Sequence, residues 1–226
     1  MATERFASLP PIDITEKHCP TVILSDGSGS MAGIGIQSVN TGLAEFGNVL
    51  KKDEKAAGTV DVEVISFSDT VNRETAFTPA AEYQAPTLRA EGCTAFNQAL
   101  ITALQDLRAR KDQYKTMGVS YFRPIIFAMT DGLATDSEYE AEAKRLLNEA
   151  YAAKGVTLYM MAVGSADVEK LRSYLPGGKG TVLKADYSCF KEALIWFSSS
   201  MANLAKSDPS LENVKTLPTP ACIEHC

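Results

Sequence analysis

The sequence predicts an α/β fold: a doubly wound, mostly parallel six-stranded sheet with helices on both faces and one antiparallel edge strand. Three observations predict it. Short apolar runs alternate along the chain with segments whose apolar residues recur every three or four positions, as strands alternating with helices do. Two runs, 124–130 and 156–163, are almost continuously apolar, which is typical of parallel strands covered on both faces. A Gly- and Ser-rich segment, 26–35, joins the first strand to the first helix.

The amino-terminal half predicts a strand, a helix and a hairpin. The apolar run PTVILS at 20–25 predicts the first strand. The first helix follows, and its buried face carries apolar residues at spacings of three and four: Ile36, Val39, Leu43, Phe46 and Leu50. Valines alternate with acidic residues at 60–64, and the turn Ser68-Asp69-Thr70 then leads to a polar strand at 71–77, so this pair predicts a hairpin at a sheet edge.

The carboxyl-terminal half repeats the alternation. A helix is predicted on the apolar face that carries Phe96, Leu100, Ala103 and Leu107. After the strand at 124–130 a helix at 138–153 is expected, with Thr135, Asp136 or Ser137 as its N-cap. The strand at 156–163 is followed by a short helix from 168 and a last strand at 181–184. The last helix has this apolar face: Phe190, Leu194, Phe197, Met201 and Leu204.

The length and the composition predict one domain with a short arm and a tail. We place the arm at 1–17, the domain at 18–205 and the tail at 206–226. A formal net charge of -6 argues against a general affinity for nucleic acid. No apolar run reaches the roughly 18 to 20 residues that cross a bilayer, and the amino terminus has no signal-peptide core, so we expect no membrane span and a cytoplasmic protein.

The cysteines predict free thiols in a reducing compartment. Their number, 5, is odd, and the chain has ample apolar residues for its core, so it does not require disulfides. Three residues near the carboxyl terminus, Cys222, His225 and Cys226, have a spacing compatible with part of a Zn²⁺ site. A tail with free thiols is the alternative that the sequence favours over zinc.

Three loops with small, oxygen-bearing residues fall at one edge of the predicted sheet. They are Asp26-Gly27-Ser28-Gly29-Ser30, Gly92-Cys93-Thr94 and Thr130-Asp131-Gly132. Ligands of open α/β sheets bind at the carboxyl ends of the strands, so we expect these loops to meet. Two carboxylates and three hydroxyls suit a hard divalent cation such as Mg²⁺. The predicted metal ligands are Asp26, Ser28, Ser30, Thr94 and Asp131.

The motifs DGSGSM, GCT and TDG, in that order, resemble the metal-ion-dependent adhesion site of von Willebrand factor A domains. The resemblance covers roughly residues 18–205. It implies hydroxyl ligands from Ser28, Ser30 and Thr94, with Asp26 and Asp131 acting mainly through coordinated water. It also implies that one position on the ion, Mg²⁺ or alternatively Mn²⁺ or Ca²⁺, is left for an Asp or Glu of a partner protein.

A narrower resemblance rests on YFRPIIFAMTDG, on the His-Cys-Pro before the first strand and on FSSSM near the end. These segments are similar to the bacterial TerY-type proteins of tellurite-resistance clusters. The resemblance implies a non-enzymatic interaction module in a tellurite-resistance, stress-response or phage-defence system. It also implies a protein kinase and a PP2C-type phosphatase of the same gene cluster as partners. Gly27 and Ser25 depart from the family pattern, in which apolar residues are usual, and so predict a looser metal loop.

Other functions remain open at this point. The same ion could serve a Mg²⁺-dependent phosphoryl-transfer or hydrolytic enzyme, or one copy's Asp or Glu could cap the ion of the next copy in a self-assembly. We predict no catalytic residue, because a Gly-x-Ser-x-Gly elbow is missing and the only histidines, His18 and His225, lie near the termini. Binding of an organic nucleotide cofactor at Gly27 and Gly29 is not expected, since the third glycine of the dinucleotide fingerprint is missing.

Overall fold

The structure, a computed structural model, describes residues 14–206 and 216–226. Residues 1–13 of the predicted arm and 207–215 of the predicted tail lie outside the described residues. One sheet runs through the described part in the order β3-β2-β1-β4-β5-β6-β7. Its strands are β1 Cys19–Asp26, β2 Val60–Phe67, β3 Val71–Pro79, β4 Ile125–Thr130, β5 Thr157–Val163, β6 Thr181–Ala185 and β7 Ile223–His225.

The sheet is parallel in its interior and antiparallel at its two ends. β1 pairs in parallel with both β2 and β4, and β4, β5 and β6 continue the parallel part. β3 pairs antiparallel with β2, and β7 pairs antiparallel with β6. The predicted doubly wound, mostly parallel fold is therefore confirmed, although the sheet has seven strands rather than six. The seventh was missed because a strand of three residues shows no periodicity in the sequence.

Within residues 14–206 and 216–226, six α-helices cover the two faces of the sheet: α1 Ile34–Lys51, α2 Glu54–Thr59, α3 Phe96–Met117, α4 Glu140–Ala152, α5 Val168–Arg172 and α6 Phe190–Lys206. One buried cluster joins α1 and α6 to the sheet, with Phe46, Phe127 and Phe197 at its centre. The other joins α3, α4 and α5 to the opposite face. Each face of the sheet therefore buries its own apolar side chains, as a doubly wound fold requires. No helix in the described part is long and apolar enough to cross a membrane.

The carboxyl-terminal segment packs onto the domain. The backbone oxygen of Leu217 accepts a hydrogen bond of 2.8 Å from the indole of Trp196, and its N–H donates to Ser200 Oγ at 3.1 Å. Cys222 forms a disulfide with Cys189, which lies just before α6. Residues 216–226 thus belong to the fold, where the sequence indicated only a tail.

The disulfide affects two sequence expectations. Cys189 and Cys222 are not free thiols, and only Cys19, Cys93 and Cys226 are free among the described residues. The less favoured alternative, part of a Zn²⁺ site at Cys222, His225 and Cys226, loses one of its three ligands, because a disulfide sulfur is no longer the thiolate that binds zinc. Within the described ranges, no group of three or more His, Cys, Asp or Glu residues could hold a metal by itself.

Candidate metal centre

The candidate centre lies where the order of the sheet changes direction. Asp26 is the last residue of β1, and Asp131 directly follows Thr130, the last residue of β4. These two strands are parallel neighbours, so their carboxyl ends open onto the same crevice. The chain continues from β1 to β2 on one side, while β4 lies on the other, which is the switch point where doubly wound folds bind ligands.

Asp26 is a buried carboxylate held by both of its oxygens. Oδ1 accepts a hydrogen bond of 2.8 Å from the backbone N–H of Ser28, and Oδ2 accepts one of 2.6 Å from Thr130 Oγ1. Burial raises the pKa of Asp26, the hydrogen bonds from Thr130 and Ser28 lower it, and the charge of Asp131 raises it further. No cationic side chain is among these influences. A cation at this edge would therefore stabilise the ionised form of Asp26.

A chain of hydroxyls joins the first loop to the third. The Oγ atoms of Ser28 and Ser30 lie 3.0 Å apart. Ser30 Oγ donates to Asp131 Oδ1 at 2.7 Å, and the phenol of Tyr187 donates to Asp131 Oδ2 at 2.7 Å. The two serines of the DGSGSM motif, Ser28 and Ser30, and the carboxylate of the TDG motif thus form one polar cluster.

Thr94 is bound through its backbone to Thr135, which follows the TDG loop. Its N–H donates to Thr135 Oγ1 at 3.0 Å, and its carbonyl accepts from the N–H of Thr135 at 2.9 Å. Thr94 Oγ1 also lies 3.7 Å from the position that a Cβ atom would take on Gly132. The hydroxyl of Thr94 is therefore next to the TDG loop, and the structure places all five candidate residues at one edge of the sheet.

Backbone hydrogen bonds fix the first loop. The N–H of Gly27 donates to the carbonyl of Phe67 at 2.8 Å, and its carbonyl accepts from the N–H of Glu91 at 2.8 Å. A Cβ atom at Gly27 would lie 3.0 Å from the carbonyl oxygen of Arg89, so this backbone would have to shift to accept a side chain. The missing side chain at Gly27 therefore lets neighbouring backbone approach and bind the loop, and the loosening expected there stays a prediction.

Gly92 fixes the direction of the second loop. Its φ of 74° lies in the left-handed region, and a Cβ atom there would lie 2.4 Å from Asp69 Oδ2. Asp69 Oδ1 instead accepts a hydrogen bond of 2.8 Å from the N–H of Cys93. The turn at Gly92 thus lets Asp69 bind the segment that carries Thr94.

Sequence reasoning missed three residues that support the centre. Thr130 lies within the TDG motif but was given no role, and Tyr187 follows the carboxyl end of β6, which is the same signal that identified the other loops. Asp136 was one of three candidate N-caps of α4, with Thr135 and Ser137. Its carboxylate instead accepts hydrogen bonds from the N–H groups of Asn97 and Gln98 at 3.2 and 2.8 Å, so it caps α3 just after Thr94.

Three solved structures share the fold at low sequence identity, and these likenesses show the fold alone. The pilus adhesin SpaC from Lactobacillus rhamnosus GG has a TM-score of 0.66 and 16% identity, over 87% of this chain and 31% of that one. BatB from Bacteroides thetaiotaomicron has a TM-score of 0.54 and 19% identity, over 84% of this chain and 100% of that one. Proximal thread matrix protein 1 from the mussel byssus has a TM-score of 0.56 and 15% identity over 83% of this chain. This chain spans 48% of the mussel protein.

A comparison with curated protein sequences gave no match. A further structure of the mussel protein has a zinc-occupied MIDAS motif, the name given to the metal-ion-dependent adhesion site. The model of one protein family, the von Willebrand factor type A domain, matches residues 21–187, which is most of the chain and includes all five candidate ligands. The chain therefore belongs to the von Willebrand factor type A domain family.

Proposed function

We propose that this domain is a metal-dependent protein-interaction module that uses a divalent ion to bind an acidic side chain of a partner. The ligands would be Asp26, Ser28, Ser30, Thr94 and Asp131. The observation that carries the proposal is the polar cluster at the switch point, in which Ser30 bridges from Ser28 to Asp131 through contacts of 3.0 and 2.7 Å. These side chains come from loops about a hundred residues apart, and they offer only oxygen atoms.

The donor set fits Mg²⁺. Carboxylate and hydroxyl oxygens are hard ligands, and Mg²⁺ keeps water in part of its shell. Burial raises the pKa of Asp26, and the negative charge of Asp131 contributes, so the residues themselves favour a positive charge between them. Thr130 and the backbone of Ser28 fix the orientation of the Asp26 carboxylate.

Neutral ligands would leave the ion able to bind a further carboxylate. If Asp26 and Asp131 act through water, the direct protein ligands are the hydroxyls of Ser28, Ser30 and Thr94. A bound Mg²⁺ would then act as a Lewis acid toward an Asp or Glu of the partner. Thr130 and Tyr187 would hold the two carboxylates in place, as outer-shell partners do at metal sites. We propose no catalytic residue and no organic cofactor.

The identity of the ion is tested directly. We propose Mg²⁺, with Mn²⁺ and Ca²⁺ as alternatives, and the zinc in the mussel protein's motif makes Zn²⁺ a fourth ion to compare. Titration calorimetry of the metal-stripped full chain should show saturable binding at one site for the preferred ion. Asp26→Ala should abolish it, while Asp112→Ala, which removes an exposed carboxylate on α3, should not. Equal binding by the parent and Asp26→Ala would contradict the proposal.

A second experiment uses a chelator to test whether partner binding needs the metal ion. An affinity matrix carrying the parent chain should retain a partner with Mg²⁺ and release it with chelator, and a matrix carrying Asp26→Ala should retain none. Chelator-sensitive turnover of a phosphoester panel would favour the enzymatic alternative instead. Chelator-sensitive association that grows with protein concentration would favour self-assembly through a second copy's Asp or Glu.

We further propose a bacterial tellurite-resistance, stress-response or phage-defence system as the setting. The support is the similarity of YFRPIIFAMTDG and FSSSM to TerY-type proteins. The proposed partners are a protein kinase and a PP2C-type phosphatase of the same gene cluster. Co-expression with each, followed by purification with and without chelator, tests this step.

The redox state of Cys189 and Cys222 in cells tests the cellular compartment of the protein. The sequence indicated the cytoplasm, whereas a disulfide such as Cys189–Cys222 persists in oxidising compartments and is rare in reducing ones. Cells lysed in the presence of an alkylating reagent distinguish the two. Alkylation of Cys189 and Cys222 would place the protein in the cytoplasm, and their protection would place it outside.

A further inference from the structure

The Cys189–Cys222 disulfide lies within one helical turn of a residue that holds the candidate metal centre. Tyr187 and Cys189 are the first and last residues of a short helical turn between β6 and α6. The N–H of Cys189 closes this turn by donating to the carbonyl of Asp186 at 2.9 Å. The phenol of Tyr187 donates to Asp131 Oδ2 at 2.7 Å. This turn therefore connects the disulfide to a carboxylate of the candidate centre.

The ring of Tyr187 depends on the turn for its position. The side chain is partly buried and lies against two glycines. A Cβ atom at Gly35 would lie 3.1 Å from Tyr187 Cδ1, and one at Gly164 would lie 2.7 Å from Cε2. These two neighbours offer backbone but no side chain to pack around the ring. The backbone that carries Tyr187 therefore has a large part in keeping the phenol at Asp131.

The other end of the disulfide belongs to the packed carboxyl-terminal segment. Cys222 directly precedes β7, and Ile223 pairs with Ala185, the last residue of β6. Ile223 is buried in the cluster that joins α1 and α6 to the sheet. Ala185 lies two positions before Tyr187. The bond thus ties the turn of Tyr187 to a strand that is itself anchored beside it.

The two sulfurs of the bond differ in exposure. Cys189 is buried, whereas Cys222 is exposed, and exposed disulfides are the ones that take part in thiol exchange. With a dithiol reductant, a thiolate attacks Cys222 Sγ, and Cys189 Sγ leaves and takes up a proton. The second thiol of the reductant then releases Cys222. The protein gains two electrons and two protons, and the reductant becomes a disulfide.

We infer that the Cys189–Cys222 disulfide is a redox switch for the metal centre. The closed bond holds the turn so that Tyr187 orients Asp131, and reduction frees the turn and lowers the affinity for the ion. A partner that binds through the ion would therefore be released under reducing conditions. This inference rests on the proposed function, and it adds a thiol reductant as the signal that regulates the same site.

Thermodynamic linkage makes such a switch reciprocal. If the bond raises the affinity for the ion by some factor, the bound ion stabilises the bond against reduction by the same factor. A bond that only stabilises the fold, with no connection to the centre, has neither effect through Tyr187. We expect a factor of about 5 to 10. Complete loss of an outer-shell hydrogen bond costs about 10 to 100-fold, and the freed turn still leaves Tyr187 near Asp131 for part of the time.

Calorimetry with Mg²⁺ measures the first effect. It compares the oxidised full chain with the chain reduced by dithiothreitol, whose soft sulfur atoms do not compete for this hard ion. Cys222→Ser keeps the buried sulfur of Cys189 and should weaken Mg²⁺ binding as much as reduction does. The matched control is Ser200→Ala, which removes a hydrogen bond to Leu217 of the same carboxyl-terminal segment and leaves the disulfide intact. Its Mg²⁺ affinity should equal that of the parent.

Glutathione redox buffers measure the second effect. The ratio of disulfide to dithiol at Cys189 and Cys222, determined by alkylation and mass spectrometry, should rise about 5 to 10-fold with saturating Mg²⁺. Asp26→Ala, which loses the ion, should show no such rise. Tyr187→Phe should show none at its own saturating Mg²⁺, because the path from the bond to Asp131 is then broken.

Each contrary result has its own meaning. Equal Mg²⁺ affinity of the oxidised and reduced chains would overturn the inference and leave the proposed function standing. A rise in disulfide that persists in Tyr187→Phe would overturn it too, because the ion would then stabilise the whole fold rather than this path. Equal weakening by Ser200→Ala and Cys222→Ser would assign the effect to the segment instead of the bond. Absence of Mg²⁺ binding in both redox forms would contradict the proposed function and this inference together.

Discussion

The phenol of Tyr187 donates a hydrogen bond of 2.7 Å to Asp131 Oδ2, while Ser30 donates to the other oxygen of the same carboxylate. The third loop of the candidate metal centre is thus held from the β6–α6 connection as well as from the β1–α1 loop. Burial and the negative charge of Asp131 raise the pKa of Tyr187 to about 12. Tyr187 therefore remains a protonated donor at neutral pH and orients Asp131.

Replacing Tyr187 with Phe should weaken metal binding without removing a ligand. Loss of an outer-shell hydrogen bond at a metal site typically lowers affinity by about 10 to 100-fold, and we expect this range for Tyr187→Phe. Calorimetry with the preferred ion measures it. Tyr139→Phe removes a hydroxyl from a tyrosine that is 40% exposed and serves as the control. Unchanged affinity in Tyr187→Phe would show that Asp131 needs no support from this side.

The sequence predicted the main elements because the physics of each is local. Apolar periodicity identified the helix that became α1 and the continuous apolar run that became β4, since both patterns follow directly from burial. The candidate ligands could be grouped because carboxyl ends of parallel strands share one edge. The same rule applied to β6 would have pointed to Tyr187.

The remaining features depend on contacts between distant segments. The Cys189–Cys222 pair spans 33 residues, and no spacing rule assigns it. The acidic residues Asp61 and Glu63 alternate with valines, a pattern that usually places them in solvent, yet both are buried because α3 covers that part of β2. Asp136 caps α3 rather than α4 for the same reason: its partners are about forty residues away in the sequence.

Removing the disulfide should destabilise the domain by roughly 3 to 4 kcal/mol. The bond joins residues 33 positions apart and so lowers the conformational entropy of the unfolded chain. Without the bond the unfolded chain regains this entropy, which for a loop of this length corresponds to about that free energy. Urea denaturation of Cys189→Ser/Cys222→Ser against the parent measures it. Cys226→Ser removes a free, exposed thiol and is the control. A double variant as stable as the parent would mean that β7 stays paired without the bond.

Asp61 is the acceptor of a buried hydrogen-bond network between β2 and α3. Its Oδ2 accepts hydrogen bonds from His18 Nδ1 at 2.9 Å and from Arg110 at 3.0 Å, and a further one from the phenol of Tyr114. Burial, the largest single influence, raises the pKa of Asp61. The hydrogen bond from His18 and the charge of Arg110 outweigh it, so the pKa lies below its ordinary value. The carboxylate is therefore ionised and paired at neutral pH.

Asp61→Asn should cost about 3 to 5 kcal/mol of stability, because it leaves the buried guanidinium of Arg110 without its counter-charge. The lowered pKa means that the parent's advantage is present above the ordinary value of 3.8 and is lost as the pH falls through the lowered one. Urea denaturation at neutral pH measures the difference. Asp112→Asn on the exposed side of α3 is the control, and a similar small cost for both substitutions would contradict the role of Asp61.

Glu63 lies on the same strand as Asp61, but its pKa is shifted in the opposite direction. It is 3% exposed, and its Oε2 has no hydrogen-bond partner among the described residues. Burial raises the pKa of Glu63, and the nearby carboxylate of Asp106 raises it further, while Arg73 partly opposes both. Arg73 is bound to Asp106 through contacts of 2.5 and 3.0 Å, and its charge offsets only part of the effect of burial and of Asp106 on Glu63. The folded protein therefore keeps a proton on Glu63 that the unfolded chain releases.

Stability should consequently fall as the pH rises from the ordinary value of 4.5 toward the raised pKa, because over this window the folded state binds more protons than the unfolded state. The slope from one such group is at most about 1.4 kcal/mol per pH unit. Glu63→Gln resembles the protonated acid in shape and removes this slope, so it should stabilise the protein at pH 8 and make little difference at pH 4.5. Urea denaturation of the metal-free parent, Glu63→Gln and the exposed control Glu82→Gln across this window measures the effect. Parallel pH profiles for all three would mean that Glu63 is ionised in the fold and that Arg73, rather than a proton, balances its charge.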